Sequence, residues 1–409
     1  MPTVLWCSGT DSYSKVEMHK TTVVILFILI LATGTAQETA PYELYGYGKY
    51  LFSTSEMPLL TGRFYDHLIH ARLNSRWYPT DNLTGALELR LRGYYGDSVE
   101  KYPGFKESVV TQYAFENLGW EMVSDKRTFT YLEIDRLYVD YQQNSMTFTL
   151  GRQRIAWGTS LVWNVIDLFN PMSILDFDYE ELPAADAARF QYYTGPVSRL
   201  EVAYKPAKDI YNTTVAGLWG FNVRRYDIFL IGGLVNNRRV IGGAWSGDIR
   251  GGGFRGEILA SDPPNKSFKI SSPYNIYLHK NNIMITFVLS GDYTFSSSLY
   301  IHGEVLYNNY GITNEGGAYF YQALEAKMYS PARWSLFHET AYDITPLLRG
   351  SFFVLFNPYD YSLLVAPSLA YSLTANMELD LVGYVAAGRK ITEFGSLGNY
   401  AFTRLKYSF

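Results

Sequence analysis

The sequence predicts an all-β protein, a transmembrane antiparallel up-and-down β-barrel of about 18 strands. The first supporting observation is aromatic content: the 409 residues include 36 Tyr and 24 Phe, yet the mean hydropathy is only −0.09. Barrels of this class carry aromatic girdles at both membrane interfaces and a polar lumen, which keeps the mean hydropathy modest. The other two observations are a hydrophobic period of two residues and connections that differ sharply in length.

The N-terminus predicts a targeting segment. An unbroken apolar run, Val23–Leu31, ends shortly before Gly34-Thr35-Ala36, which has the small-x-small pattern of a signal-peptide cleavage site. The run is too short to span a bilayer as a helix. We therefore expect a signal peptide over residues 1–36 and an outer-membrane barrel over residues 37–409.

Residues 1–17 show no targeting pattern, and we interpret Met18 as the true start and the preceding residues as a misassigned upstream extension. A structured N-terminal appendage is the alternative. The only cysteine, Cys7, lies in this segment, so the mature chain has no disulfide framework, thiolate nucleophile or Cys-based metal site. With 35 basic and 39 acidic residues, the chain has a net charge of −4, which does not predict nucleic-acid binding. We predict no cofactor and no metal site.

Alternation of apolar and polar residues indicates strands with two different faces. In the segment Leu83–Leu91, leucines occupy one face, whereas Glu88, Arg90 and Arg92 occupy the other. A half-buried soluble sheet has the same period. The number of such segments and the spacing of their connections favour a membrane barrel.

Strands are predicted near residues 42–53, 66–78, 82–95, 128–141, 146–156, 186–194, 198–206, 213–223, 226–235, 238–247, 252–260, 282–294, 298–308, 333–343, 347–356, 361–372, 376–387 and 398–409. Glycine clustering across 238–256 blurs the boundaries, so 16 strands is the alternative. Tight connections are YPTDN, QQNS, TGPVS, FSSS, ITP and TAN, and long ones cover 96–127, 157–185, 261–281, 309–332 and 388–397. Short periplasmic turns and long outer loops are typical of outer-membrane barrels.

One predicted hairpin joins Thr128–Tyr141 to Met146–Ala156 about the turn QQNS. Pairing centred on this turn places Glu133 opposite Arg154, and Asp135 opposite Arg152. Four such charges must face water or a wet cavity, because burying them in an apolar core would be costly. They would either orient solutes in a pore or form a salt-bridge network that blocks flow.

This arrangement requires two irregularities. Leu150 has the same parity as Arg152, so a regular strand would turn the arginine toward lipid. We predict a bulge at Gly151 and a matching slip near Asp135. The residues Glu88, Arg90 and Arg92 would extend the charged patch. A second ladder would form if Asp380 faces Arg404 and Glu378 faces Lys406.

The segment GRQRIAWG at 151–158, followed by DLFNP at 167–171, resembles a signature of uncharacterised porin-like bacterial outer-membrane barrels. The resemblance implies a family but no substrate. The matching positions are Arg152, Arg154, Trp157, Trp163, Asn164, Asp167 and Asn170. A long, aromatic, Pro-ended loop is unlike a free solvent loop, so we predict that 157–185 folds into the lumen. A loop that caps the outside is the alternative.

The chain ends YAFTRLKYSF, in which Leu405, Tyr407 and Phe409 share one face. This ending resembles the C-terminal signal read by the bacterial barrel-assembly machinery. It implies the bacterial outer membrane as location, with that machinery, outer-membrane lipid and lipopolysaccharide as partners.

The function predicted is a porin-like channel for passive or weakly selective diffusion of small hydrophilic solutes, as a monomer or a homotrimer, without enzymatic activity. The predicted pore-lining residues are Glu88, Arg90, Arg92, Glu133, Asp135, Arg152, Arg154, Glu378, Asp380 and Arg404. One alternative is a lipid- or lipopolysaccharide-modifying enzyme, for which Ser160 or His302 would be required. Another is a barrel plugged at rest that serves polysaccharide export or assembly.

Overall fold

The computed structural model describes residues 41–56, 62–110, 115–169, 183–263 and 282–409. Structural statements below concern these residues. The predicted signal peptide at 1–36, Asn170 and most of the second half of the 157–185 loop lie outside them. None of the helices in these five stretches is long and apolar enough to cross a membrane.

Nineteen strands form one antiparallel sheet that closes on itself. They are β1 (Tyr42–Glu56), β2 (Arg63–Thr80), β3 (Leu83–Gly96), β4 (Gly119–Ser124), β5 (Thr128–Gln143), β6 (Met146–Gln153), β7 (Ala185–Tyr193), β8 (Arg199–Lys205), β9 (Thr214–Val223), β10 (Tyr226–Val235), β11 (Arg238–Ile249), β12 (Gly252–Ser261), β13 (Met284–Thr294), β14 (Tyr300–Asn308), β15 (Trp334–Thr345), β16 (Leu348–Phe356), β17 (Leu363–Thr374), β18 (Met377–Ala387) and β19 (Asn399–Ser408). Each wall strand pairs with its sequence neighbours, and β19 pairs with β1. The predicted barrel class is confirmed.

The wall itself has 18 strands, as predicted, because β4 adds no position to the ring. In its first half, β5 pairs with β3 on one side and with β4 on the other. In its second half, β5 pairs with β6 instead. The short β4 therefore continues the wall where β6 has ended. It belongs to the long β3–β5 connection, which the sequence analysis treated as loop.

Except for the two-residue turn Asn236–Asn237 between β10 and β11, the connections separate by length onto the two ends of the barrel. The end that holds the first residues of β1 and the last residues of β19 also holds the tight turns, such as Asn144–Ser145 and Arg224–Arg225. We call it the turn end. The opposite loop end carries the long connections, including the helices α1 (Asp97–Lys101), α2 (Phe105–Val109) and α3 (Phe320–Glu325), and the short 3-10 segments Ile210–Asn212 and Gly316–Tyr319. All the predicted tight connections lie at the turn end.

Side chains alternate between an exposed outer face and a buried lumen face. On β8, Leu200, Val202 and Tyr204 are 45%, 53% and 47% exposed, whereas Glu201 and Ala203 are 1% and 0% exposed. This arrangement, with apolar side chains outside and polar or small ones inside, is the inverse of that in a soluble β-sandwich. It matches a wall that faces lipid.

The chain terminus closes the seam of the barrel. The N–H of Phe409 donates to the carbonyl of Gly46, and the N–H of Gly46 donates to the carbonyl of Phe409, both at 3.0 Å. The ring of Phe409 packs against the apolar patch that contains Ala71 and Leu73. Leu405 and Tyr407 are 38% and 49% exposed and share the outer face of β19, as the alternation predicts.

Candidate functional site

The β6–β7 connection enters the barrel, as predicted. We call its described part, residues 154–169, the lumen loop. Ile155, Trp157, Trp163 and Ile166 are at most 2% exposed. They pack in one apolar cluster with inward side chains from wall strands that run from β7 round to β2. Burial of this much apolar surface stabilises the loop inside the lumen rather than over its mouth.

The first anchor of the lumen loop is Glu257 on β12. Its carboxylate accepts hydrogen bonds from the backbone N–H groups of Thr159 at 2.5 Å, Ser160 at 2.8 Å and Ile166 at 3.1 Å. A loop buried in a barrel cannot satisfy these donors with water, and a carboxylate satisfies them with charge-assisted bonds. Glu257 itself is 0% exposed, so these bonds also compensate its own burial.

The second anchor is Glu304 on β14, and it holds the next three residues. It accepts the backbone N–H groups of Leu161 at 2.7 Å, Val162 at 3.0 Å and Trp163 at 3.1 Å. His302 on the same strand lies 3.3 Å from Glu304 through Nε2. The Trp163 ring packs edge-on against Phe337 of β15, with ring centroids 6.3 Å apart.

The loop therefore crosses almost the full width of the barrel. Counting along the wall from β6, β12 is six strands away (12 − 6) and β14 is eight strands away (14 − 6). In a ring of 18, nine strands separate opposite sides. The two anchors therefore place the loop as a bar across the lumen, where it obstructs part of the cross-section of the barrel.

Both ends of the described loop are held as well. Near its start, Trp157 donates through Nε1 to Glu201 of β8 at 2.7 Å. Arg154 pairs with Asp167, so the first and last parts of the loop are joined. Burial raises the pKa of Asp167 to about 6, although the guanidinium of Arg154 opposes the rise. The carbonyl of Phe169 accepts a bond from Lys205 Nζ at 3.0 Å.

A chain of ion pairs runs along the wall formed by β2, β3 and β5. We call it the ion-pair ladder, and its members are Arg72, Arg76, Glu88, Arg90, Arg92, Glu133, Asp135 and Arg136. Glu133 is 2.8 Å from both Arg90 and Arg92. Asp135 is 2.7 Å from Arg72 and 3.6 Å from Arg90. Glu88 pairs with Arg72, with Arg76 at 2.6 Å and with Arg136 at 3.4 Å.

The predicted partners across the β5–β6 hairpin are wrong. In the observed register Arg152 faces Leu137, two residues away from the predicted Asp135. Arg152 instead pairs with Asp186 of β7 at 2.6 Å. Arg154 lies beyond the last residue of β6 and turns to Asp167 of the lumen loop, not to Glu133. The turn closes with Gln143 facing Met146, which offsets every downstream pair.

Of the two predicted irregularities, the slip near Asp135 is present and the bulge at Gly151 is not. The β3–β5 ladder shifts between Glu88 and Leu89, which leaves Asp135 as the extra residue of a bulge. At Gly151 the backbone has φ of +120°, but the ladder keeps its register, so Arg152 stays on the face of Leu137 and Leu150. Gln153, not Arg152, continues the inward face of Thr147 and Thr149. Arg152 is 7% exposed because Asp186 and the carbonyls of Ile134 and Glu116 cover it.

The second predicted ladder has the expected register. Asp380 faces Arg404, with Arg404 Nε donating to Asp380 at 2.8 Å, and Glu378 faces Lys406. Of the predicted loop positions, Asn164 accepts a hydrogen bond from the Tyr329 hydroxyl through its backbone carbonyl. Neither Glu257 nor Glu304 was identified as an anchor from the sequence. The available signal is their parity, because each acid alternates with outward apolar residues such as Ile258 and Ile301.

The fold is shared with solved outer-membrane proteins at very low sequence identity. OprD from Pseudomonas aeruginosa matches with a TM-score of 0.55 and 9% identity, covering 91% of this chain and 94% of that one. OpdK from P. aeruginosa, solved with vanillate, matches with a TM-score of 0.53 and 9% identity, covering 90% of this chain and 98% of that one. OccK2 (OpdF) from P. aeruginosa, solved with glucuronate, matches with a TM-score of 0.52 and 9% identity, covering 90% of this chain and 96% of that one. No family model matches the sequence, and no curated protein does.

Proposed function

We propose that this protein is an outer-membrane channel through which small hydrophilic solutes diffuse passively or with weak selectivity. The observation that carries the proposal is the lumen loop, held across an 18-strand barrel by Glu257 and Glu304. A fixed bar that leaves part of the lumen unfilled sets the size and polarity of a path, which is how selective pores work.

The path would follow the polar side of the lumen. The apolar cluster joins the loop to wall strands from β7 round to β2, and none of its buried members in the described residues lies on β3, β5 or β6. The ion-pair ladder and Arg154 line the side formed by β2–β6, and Asp380, Arg404 and Glu378 stand on β18 and β19. Side chains such as Arg76, Arg92 and Arg136 are 13–18% exposed, so they keep contact with the open lumen. We assign the predicted pore-lining set, except Arg152, to this path.

Two fold neighbours were solved with the small organic acids vanillate and glucuronate. They support the view that a barrel of this architecture accommodates small solutes. The exposed aromatic and aliphatic belt would contact outer-membrane lipid and lipopolysaccharide, and the C-terminal strand would be recognised by the barrel-assembly machinery. The resemblance of GRQRIAWG and DLFNP to porin-like barrels agrees with this placement. A homotrimer and a monomer are both compatible with the proposal.

Single-channel recording of the refolded protein in a planar bilayer tests the channel. We expect steady openings in the wild type. The double variant Glu257→Gln with Glu304→Gln replaces the charge-assisted acceptors by amides. The N–H groups of the loop are then poorly paired, and the loss at each anchor destabilises the bound loop by about 1–3 kcal/mol. The double variant is expected to show larger and noisier currents. Asp343→Asn, which removes an exposed pair with Arg349 at the turn end, is the matched control and leaves currents unchanged.

A refolded barrel that stays electrically silent, and conducts only when the lumen loop is deleted, would contradict free diffusion and favour the plugged barrel for polysaccharide export. Equal currents in the wild type and in the double variant would show that the loop does not limit flow.

An enzyme is the second candidate, because Ser290, His302 and Glu339 are aligned. Ser290 Oγ is 3.2 Å from His302 Nε2, and His302 Nδ1 is 3.7 Å from Glu339. However, Glu304 shares the same Nε2 at 3.3 Å, and Ser290 and His302 are 1% and 2% exposed. We therefore assign these groups to holding Glu304 on the lumen loop. Loss of a lipid-hydrolysis activity in Ser290→Ala or Ser160→Ala would support the enzyme instead.

A further inference from the structure

We propose that the lumen on the turn-end side of the lumen loop holds a binding site for an uncharged, polyhydroxylated solute the size of a monosaccharide. The inference rests on the proposed channel function and names its solute class. The site is a cavity of about 270 Å³ between β5, β6 and β7. Its uncharged polar lining includes Tyr138, Gln142, Thr147, Gln153, Gln191 and Tyr193.

The two arginines at the cavity have partners of opposite sign, and the third charged group is a carboxylate. Arg136 lies 3.4 Å from Glu88, and Arg154 pairs with Asp167. Asp140 accepts a hydrogen bond from Thr149 Oγ1 at 2.6 Å and keeps its negative charge. Breaking an existing buried pair is costly, so an anion gains little from the arginines and is repelled by Asp140, whereas a cation is repelled by the arginines. The cavity therefore offers an ion little advantage over a neutral solute.

The remaining lining groups suit hydroxyls. Amides and hydroxyls can each donate and accept, and a sugar hydroxyl also does both. Gln153 is held in place because its Nε2 donates to the carbonyls of Thr149 at 3.1 Å and Ala187 at 3.0 Å. Gln191 donates to Glu201 at 3.1 Å. Fixed amides lower the entropic cost of binding compared with mobile surface groups.

Two tyrosine rings provide the apolar surface that a sugar ring also needs. Tyr138 and Tyr193 both line the cavity, and the guanidinium of Arg76 lies over the Tyr138 ring at 5.7 Å. Aromatic side chains combine an apolar face with a polar tip, so they can contact both parts of a sugar. At roughly 30 Å³ for each water in the liquid, the cavity has the volume of about nine waters, which is enough for one small solute but not for a chain.

The position of the cavity gives the site a place in transport. Arg154, at the start of the lumen loop, forms part of its lining, and Gln142 and Tyr193 near the turn end are exposed. A solute that has passed the loop would therefore reach this site before it leaves at the turn end. Weak binding next to a constriction raises occupancy without preventing release.

The test is current block in a planar bilayer, with glucose and glucuronate as probes of equal size that differ by one carboxylate. We expect glucose, added on the turn-end side, to block the salt current in a saturable manner, and glucuronate to block at least about fivefold more weakly. Thr147→Val and Gln142→Leu should each weaken block by glucose by roughly fivefold, the factor for one net hydrogen bond. Thr214→Val, an inward threonine of β9 outside this cavity, is the matched control. Heat-modifiable gel mobility verifies that each variant is folded.

The outcomes separate the two proposals. Salt current without block by glucose, or equal block by both probes in the wild type, overturns the inference and leaves the channel intact. Absence of any salt current in the folded wild type overturns the channel function and the inference together. The comparison of the two probes needs no variant, so it decides the solute class even if a variant misfolds.

Discussion

At the scale of single residues, buried carboxylates are the main organisers of the loops. Glu257 and Glu304 bind the lumen loop. At the loop end, Glu393 and Asp360 bind neighbouring connections to one another. Glu393 accepts bonds from Ser330 Oγ at 2.8 Å and Asn357 Nδ2 at 2.9 Å. Asp360 accepts the backbone N–H groups of Glu393 at 2.8 Å and of Gly316 at 3.0 Å. Three outer connections are joined at this point.

Glu393 predicts a pH-dependent loosening of these loops. Burial, together with the neighbouring charge of Asp360, raises the pKa of Glu393 from 4.5 to about 7. Because the folded pKa lies above the ordinary value, the neutral carboxyl stabilises the junction fully below about pH 4.5. This stabilisation, on the order of 3 kcal/mol, is lost as the pH rises through about 7. Trypsin cleavage after Arg389 and Lys390 should therefore increase several-fold between pH 6 and 8.

The variant Glu393→Gln mimics the neutral carboxyl and separates this effect from the pH dependence of the protease. Its cleavage, measured relative to an unfolded reference peptide, should stay constant over the same range. A wild-type protein that is cut equally at both pH values would contradict the role of Glu393.

At the scale of elements, the pairing of one strand depends on one glycine. Gly151 has φ of +120°, a conformation that other residues rarely adopt, and it lies in the β5–β6 ladder without interrupting the register. A Cβ at this position would lie 2.3 Å from the Leu137 carbonyl oxygen and 3.0 Å from Tyr138 Cα. The backbone of β5 therefore blocks any larger residue. The close pairing of β6 with β5 depends on this position.

Gly151→Ala is expected to destabilise the barrel by about 1–3 kcal/mol from backbone strain, with a further cost from the clash with β5. Refolding yield, judged by heat-modifiable gel mobility, and the urea midpoint of unfolding should both fall. Gly48→Ala is the control, because a Cβ at Gly48 would meet no atom within 4 Å. Equal losses in both variants would mean that the backbone conformation of Gly151 is not what matters.

At the scale of the whole molecule, the lumen has many charges of both signs. The inward arginines that form ion pairs in the described strands and lumen loop are Arg72, Arg76, Arg90, Arg92, Arg136, Arg154, Arg189, Arg199, Arg255 and Arg404. Their carboxylate partners are fewer, namely Glu88, Glu133, Asp135, Asp167, Glu201, Asp292 and Asp380. Most of the positive charge is therefore cancelled, and the wild-type channel should show only a weak preference for anions.

Replacing arginines on one wall by neutral residues should leave the carboxylates that they neutralise with uncompensated negative charge. In Arg92→Gln with Arg136→Gln, Glu133 and Glu88 each lose one positive partner. The reversal potential in a tenfold KCl gradient should then shift toward cation selectivity by roughly 10–20 mV, because local negative charge attracts K⁺. Arg349→Gln, at an exposed pair of the turn end, is the control and should shift it little. An unchanged potential in the double variant would place the ladder outside the ion path.

Much of the architecture was predictable because it depends on local patterns. The alternation in Leu83–Leu91, the turn at Asn144 and the slip near Asp135 can all be identified in a few consecutive residues. The wall of 18 strands and the entry of the lumen loop follow from such segments taken together. The short β4 was missed because it pairs with the first half of β5, on the same side on which β6 pairs with the second half. A local sequence pattern does not indicate such a change of partner.

What the sequence by itself determined is which side chains face inward and where the chain turns, since both depend on period and on neighbours in the chain. Only the tertiary structure decided which charges meet. A register offset of two residues places Arg152 opposite Leu137 instead of Asp135. Its ion pair is made on the other side, with Asp186 of β7. The anchors Glu257 and Glu304 meet residues of the lumen loop about a hundred positions or more earlier in the chain. The reason is that partner choice depends on the closure of the whole ring, which brings distant strands to one lumen and lets buried N–H groups and carboxylates satisfy each other.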